Sequence, residues 1–552
     1  MKRYLRFLPF IIAFLFFNCI VKAQFTQKIV NPAYQLDAPW AILWGPDDSL
    51  WVTESHSYKV DRINVNDGNQ STLIDLSSQR DFNASVPVWP QGGLMGMVLH
   101  PSMYTEWPAP SKPWIYLAYV YHYASTLGAC ATGGECYFKT RIVRYDYTRS
   151  SHSLNNPRII IESLNGSNDH NSGRLTIGRM NGIDYLFYTI GDMGAGQFNN
   201  ISRPNKAQTR DSLEGKVLRF NLDSSGQGSW IPPNNPYTDA NGKKTAVWTW
   251  GHRNAQGIVM ASNGILYNCE HGDKSDDEVN ILDSSRNYGW PKVSGYCDGN
   301  YNGLTLANQP VGNEQNNCTN LNAVEPIYTL FTSANPGTLG TNNLTWPTVA
   351  PSSINYYNKP GGIAGWNHCL LITTLKAGKV YKLHLDPSGT SILDSVSIPE
   401  MRGVGRFRDI CFNPIGNKIY LACDLSGQTS GPSGGFNGGG TPPPNAGRIL
   451  EFTYTGALLE LPEENLYVRD KKLYFKIFPN PVSSILTVES KRNISKPIHY
   501  MISDIEGKHL IEGYSRIDRF EINMTSFSRG LYFIHLYNGY DISMGAYKIM
   551  VK

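Results

Sequence analysis

The sequence predicts an all-β protein: a six-bladed β-propeller followed by a small Ig-like β-sandwich. Three observations carry this expectation. One unit recurs: an apolar pair, a turn rich in Gly, Asn, Asp or Pro, then an alternating apolar strand. It runs from Ala41 to Val52, from Met97 to Leu117, from Leu175 to Ile190, from Ile258 to Asn268, from Cys369 to Leu383 and from Ile410 to Ala422. Self-similarity at long, irregular intervals, all strand and turn, is the mark of a propeller, and six units predict six blades. Composition agrees, because 12% aromatics with 52 Gly and 33 Pro suit a turn-rich β chain. Finally, no long 3.6-period stretch offers the crossover helix of a βαβ unit.

The elements follow in order. Lys2, Arg3 and Arg6 precede an apolar run from Phe7 to Ile20, and Val21-Lys22-Ala23 ends it with small residues. This reads as a secretory signal, residues 1–23, cleaved before Gln24; the run is short for a membrane span. The propeller is expected over 24–456, with a Gly/Pro-rich surface loop from Ser430 to Pro444 and one more strand from Gly447 to Tyr454. A charged linker, 457–474, leads to short alternating strands over 475–552, which form the sandwich.

A hydrophobic content of 41% supports a real core, and a net charge of +4 gives no reason to expect nucleic acid. Of nine cysteines, Cys19 leaves with the signal, so eight (9 − 1) remain. Export permits disulfides. Cys130 and Cys136 flank a Gly-rich loop and can close a small ring; Cys297 and Cys318 form a second candidate pair. Cys269, Cys369, Cys411 and Cys423 sit in apolar runs and read as buried thiols. No Cys spacing reads as a zinc site.

The chemistry concentrates in a few segments. Asn168-Asp169-His170-Asn171 puts an imidazole beside one carboxylate, and Gly191-Asp192 brings a second a strand-pair later. That suits a histidine held in one tautomer to take a proton. Arg406-Phe407-Arg408 places two guanidinium groups on one strand face. Ser275-Asp276-Asp277-Glu278, taken alone, reads as a solvated turn or helix cap. No Gly-x-Gly-x-x-Gly motif supports nicotinamide or flavin on a Rossmann unit.

These segments, together with Gln91-Gly92-Gly93-Leu94-Met95-Gly96-Met97, Gly251-His252-Arg253-Asn254, Asn287-Tyr288-Gly289-Trp290-Pro291 and Trp346-Pro347-Thr348, resemble the soluble quinoprotein sugar dehydrogenases, which use pyrroloquinoline quinone and calcium. The resemblance spans about Ala38 to Tyr454. It implies an aldose 1-dehydrogenase giving a lactone, with His170 as general base and Asp192 holding it. It implies that Arg253 and Asn254 face the quinone oxygens, that Lys376, Arg406 and Arg408 meet the quinone carboxylates, and that Thr348 lies at the cofactor edge. Gln91, Asp169, Gln197 and Trp346 match sugar contacts. Gly272 and Asp273 match the backbone ligands of the cofactor's calcium. Glu278, Tyr288, Ser294, Tyr296 and Asp298, with Glu314 as an extra, match a second, structural calcium. Asn343 in place of a tyrosine, Phe198 in place of a leucine and Asp273 in place of a proline leave the sugar undetermined. An external electron acceptor is required, and a homodimer is one option for the assembly. Two other readings stay open here: a dehydrogenase of another sugar or alcohol, and a non-catalytic propeller that serves as a binding module.

The tail is similar to the C-terminal sorting domain of the type IX secretion system through Phe478-Pro479-Asn480-Pro481, Asp504-Ile505-Glu506-Gly507-Lys508, Gly530-Leu531-Tyr532 and Lys548-Ile549-Met550-Val551-Lys552. The resemblance implies passage through Sec and then the type IX machinery, to the cell surface or beyond.

Overall fold

A computed structural model describes residues 24–82, 89–124, 136–224, 229–359, 361–425, 442–456, 475–490, 498–504, 509–515, 517–537 and 543–552. The expected signal (1–23), the linker (457–474) and most of the Ser430–Pro444 loop lie outside them. Among the described residues, no helix is long and apolar enough to cross a membrane.

Among the described residues from Phe25 to Tyr454 there are six four-stranded antiparallel sheets and one small hairpin, Thr305–Leu306 with Gln309–Pro310. The first strands of the six sheets are Pro39–Trp44, Leu94–Leu99, Ser172–Met180, Ala255–Met260, Pro351–Tyr357 and Phe407–Phe412. Each first strand packs beside that of the next sheet, and the sixth packs beside the first, so the sheets close a ring. Phe25–Ile29, from the far N-terminal end, pairs with Ile449–Tyr454 as the outer strand of the sixth sheet.

The core lies in slabs between neighbouring sheets, which explains the unbroken apolar runs. In Cys369–Thr374 successive side chains point to opposite faces. Leu370 and Ile372 enter the slab shared with the fourth sheet, and Leu371 enters the slab shared with the sixth. Tyr116 likewise packs toward the third sheet, whereas Ile115 and Leu117 pack toward the first. A strand buried on both faces reads as continuous hydrophobicity rather than alternation.

At the ring centre Arg174 acts as a staple. Its guanidinium donates to Asp409 at 2.7 Å, to the Gln256 carbonyl at 2.9 Å and to the Ser352 carbonyl at 3.0 Å. Asp409 also accepts the Ile42 amide at 2.9 Å. One ion pair thus ties five of the six sheets.

Two short helices interrupt the strands, Ser102–Thr105 and Glu314–Leu321, the latter capped by the Asn313 side chain. Cys297 and Cys318 are joined, fixing the 294–301 loop to that helix. Cys269, Cys369, Cys411 and Cys423 are free and buried, as expected. Cys136 is disulfide-bonded, and Cys130 lies outside the described residues. The tail contains a three-stranded and a four-stranded antiparallel sheet around Leu486, Val488, Ile502, Ile534 and Ile549.

Candidate functional site

Topology gathers the predicted residues at one end of the ring. Gln91, His170, Arg253, Asn254, Thr348 and Arg406 lie just before the first strand of their sheets. Asp192, Gly272, Asp273, Lys376 and Asp424 lie just after a second strand. In an antiparallel pair the entry of one strand and the exit of the next share an end.

His170 sits at φ +50° and is buried. Gly191 must be glycine here, because a Cβ would lie 1.9 Å from the His170 carbonyl oxygen. Nδ1 of His170 is 2.7 Å from Oδ1 of Asp192, and Nε2 is 3.6 Å from Asp169. The carboxylate beside Nδ1 fixes the proton there and leaves Nε2 as the basic atom. Asp192 is fully buried and also accepts from the amide of Gly194 at 2.9 Å, Gln197 at 3.1 Å, Asn205 at 2.8 Å and the Trp290 indole at 2.7 Å. Burial pushes its pKa upward, but the charge of His170, the hydrogen bond from it, Arg253 and Trp290 together hold it below the usual carboxylate range. Burial raises the pKa of Asp169, and its Oδ2 has no hydrogen-bond partner among the described residues. Gln91 accepts the Asn171 amide at 2.8 Å and donates to Asp169 at 3.3 Å, so it shapes the histidine loop.

Arg253 donates to Gln197 at 2.6 Å and lies 3.9 Å from Asp273. Gln197, expected at the sugar, thus links Asp192 to Arg253. Arg408 donates to Gln256 at 2.8 Å and to Asp424, with its guanidinium 4.2 Å from the Trp40 ring centre. Arg406 lies 3.5 Å from Asp424, so both arginines of the predicted face share one carboxylate. Burial lowers Arg406 to about 10. Lys376 donates to the Trp346 carbonyl at 2.6 Å and to Thr348 at 3.0 Å. The Trp346 indole donates to the Gly340 carbonyl at 2.7 Å. Several buried donors here have no hydrogen-bond partner among the described residues: Arg406 Nη1, Arg253 Nε and Asn254 Nδ2, while Arg406 Nε has the 3.5 Å ion-pair contact to Asp424. Unsatisfied buried donors are costly, and a bound ligand or water would satisfy them.

The reading of Ser275–Glu278 as a solvated turn is overturned: all four are buried. The Asp277 carboxylate accepts three amides, from Gly272 at 2.8 Å, Val349 at 2.5 Å and Ala350 at 2.9 Å. It clamps the Gly272-Asp273 turn against the Thr348 segment, and burial raises it to about 6. Glu278 accepts the Gly295 amide at 2.7 Å, and Glu314 accepts the Ser294 amide at 3.2 Å. The Tyr288 hydroxyl donates to the Ile281 carbonyl at 2.5 Å and its ring stacks on His252, so any ligand role there falls to its main chain. Tyr296 and Asp298 lie on the same 294–301 loop. Among the described residues, no three His, Cys, Asp or Glu side chains form a metal cluster. Asp276 Oδ1 and Asn300 Oδ1, beside this loop, are buried oxygens without donors among the described residues, a set that suits a hard cation.

Sequence reasoning missed Asp424, Asp277, Trp290, Asn205 and His271. His271 donates to the Pro351 carbonyl at 3.0 Å; burial and the charges of Arg253, His170 and Arg408 hold it well below its usual pKa, hence neutral. Trp290 stood in a quoted motif, which was its only signal.

Comparison with known proteins gives the family. Residues 36–430 match the profile of the glucose/sorbosone dehydrogenases, and 476–552 match a secretion system C-terminal sorting domain. The chain is 33% identical over 471 residues to quinoprotein glucose dehydrogenase B of Acinetobacter calcoaceticus, covering 78% of this chain and 91% of that protein. It is 27% identical to the aldose sugar dehydrogenase YliI of Escherichia coli, covering 71% and 89%. In fold it is similar to the soluble aldose sugar dehydrogenase of Escherichia coli in the apo-form (TM-score 0.53, 23% identity, 78% of this chain and 99% of that one). The PQQ-bound aldose sugar dehydrogenase of Streptomyces coelicolor is similar too (TM-score 0.50, 22% identity, 78% and 98%). The chain belongs to the glucose/sorbosone dehydrogenase family and carries a secretion system C-terminal sorting domain.

Proposed function

We propose that the protein is an exported aldose 1-dehydrogenase, using pyrroloquinoline quinone and calcium, that oxidises glucose or a related aldose to its lactone. The ring of six sheets is read as a six-bladed propeller, residues 24–456, and the tail as an Ig-like sandwich that directs type IX export. The observation that carries the reading is the group of buried donors on Arg406, Arg253 and Asn254 that lack hydrogen-bond partners among the described residues, at the same end of the ring as the His170–Asp192 pair. A tricarboxylate quinone offers the oxygens these donors lack. Arg406, Arg408 and Lys376 would hold its carboxylates, and Arg253 and Asn254 its quinone oxygens, with Thr348 at its edge. Gly272 and Asp273 would give main-chain oxygens to one calcium, and the 294–301 loop with Glu278 and Tyr288 would hold another.

The bound quinone supplies an electrophilic carbonyl as hydride acceptor, chemistry no side chain offers. The protein's part is acid–base and positional. His170 Nε2 takes the proton from the anomeric hydroxyl as the C1 hydride leaves. Asp192 keeps Nδ1 protonated and stabilises the imidazolium. Arg253 would offer its guanidinium to the acceptor oxygen, where positive charge favours the reaction. Asp169, Gln91 and Trp346 line the sugar side, with Gln197 positioning Arg253. An external acceptor would be needed to take up the two electrons.

The test is reconstitution of the purified apoprotein with quinone and calcium, with dye reduction read across a panel of aldoses. Activity should need both additions. Quinone-independent activity, or no quinone binding in calorimetry, would overturn the proposal.

A further inference from the structure

Trp290 touches both halves of the site. It is buried, its indole N–H donates to Asp192 Oδ2 at 2.7 Å, and its ring centre lies 5.1 Å from the Arg253 guanidinium carbon. Its own placement is fixed from behind. The Trp290 amide donates to the Gly251 carbonyl at 3.0 Å, and its carbonyl accepts from Gln208 at 2.8 Å. Asp192 therefore receives five donors on two oxygens that offer about four lone-pair sites. Each donor competes for the charge that the imidazole also uses.

We propose that Trp290 is a positioning residue that couples proton uptake by the His170–Asp192 pair to Arg253, sharing the carboxylate's charge on one side and supporting the guanidinium on the other. This rests on the dehydrogenase reading above. Among the described residues, the other charged or titratable groups around the pair include Asp169, Arg253, Glu270, Asp273 and His271. None of these donates an N–H to Oδ2, which among the described residues receives, besides Trp290, the side-chain amides of Gln197 and Asn205.

The test is Trp290→Phe in the full-length holoenzyme. Phenylalanine keeps the ring beneath Arg253 and removes the donor. More charge then remains for the imidazolium, so the acid limb of the rate profile should move up by roughly half to one pH unit. Turnover on that limb should fall about three- to tenfold and return toward the wild-type value near about pH 9, with KM unchanged. Trp290→Leu should add a loss of quinone affinity, read by calorimetry, that Trp290→Phe does not show. A profile that overlays the wild type, or a loss equal at every pH, would overturn the coupling. A second measurement needs no Trp290 variant: in an ¹⁵N-indole spectrum, one downfield indole signal should move on His170→Ala, and indole signals indifferent to that change would overturn it too. Quinone-dependent turnover that survives His170→Ala would instead sink the base assignment, a separate failure.

Discussion

Replacing Asp192 by Asn tests the heart of the site with almost no change of shape. The carboxylate accepts from five groups, His170 and Gly194 at Oδ1, and Gln197, Asn205 and Trp290 at Oδ2. An amide keeps one acceptor and turns the other position into a donor. With the new NH2 at Oδ2, three donors face a donor; at about 1–3 kcal/mol for each buried unsatisfied group, that costs about 3–9 kcal/mol. With the NH2 at Oδ1, only the Gly194 amide is stranded, because the imidazole can move its proton from Nδ1 to Nε2. The second arrangement wins, at about 1–3 kcal/mol, and it places a proton on the atom that must accept one. Asp192→Asn should therefore fold with a modestly lower Tm and lose about 10²–10⁴-fold in turnover, approaching a direct loss of the base. The assay is dye-linked aldose oxidation by the reconstituted enzyme, alongside thermal unfolding and quinone calorimetry. Less than a tenfold loss of turnover in a folded, quinone-binding variant would refute the tautomer argument.

His170→Ala should retain quinone binding and lose about 10²–10⁴-fold or more in turnover, which stopped-flow reduction of bound quinone would measure. Arg406→Met should weaken quinone binding at least tenfold in calorimetry, because it deletes a buried cation whose Nη1 has no hydrogen-bond partner among the described residues. His100 is held neutral by burial at about 4, with Nδ1 accepting the Ser102 amide at 3.1 Å. Its folded pKa lies below its unfolded value of about 6.5, so this stability is full above about pH 6.5 and lost as pH falls through about 4. His100→Asn, which keeps an acceptor, should flatten the fall of Tm over that window, and an unchanged slope would assign it elsewhere. A chain ending near Leu461 should turn over sugar normally yet stay in the periplasm, and loss of activity or arrival in the medium would each break one half of that expectation.

His170, Arg253 and Asn254 were legible because each stands in a short segment that enters a first strand, where local order alone sets position. Asp424 was not. It reaches Arg406 and Arg408 only because the second strand of the sixth sheet returns beside the first, and nothing in its own sequence marks it. Ser275–Glu278 misled for a related reason. A polar run looks the same whether water or protein surrounds it, and what buries this one comes from the distant 294–301 and 348–350 segments. Strand repetition announced the ring, since burial on both faces leaves an apolar signature that survives without an alignment. Gln197 shows what a sequence leaves out: its side chain reads as a sugar contact, and the fold adds that its amide bonds both Asp192 and Arg253.

The pairing of Phe25–Ile29 with Ile449–Tyr454 sets a clock on the life of the chain. The strand synthesised first must wait for the strand synthesised last among the six sheets, with partners such as Thr26 and Thr453 separated by 427 positions. Contacts of such long range form slowly, because a large loop must close before they return any energy. A chain still leaving the ribosome therefore stays open until residue 449 has emerged, its first segment an unmatched edge. Any molecule cut short before residue 449 would keep that edge bare, open to pairing with other chains and to proteases. Closure thus doubles as a check of completeness: the ring locks only for molecules in which the last strand of the six sheets has been made.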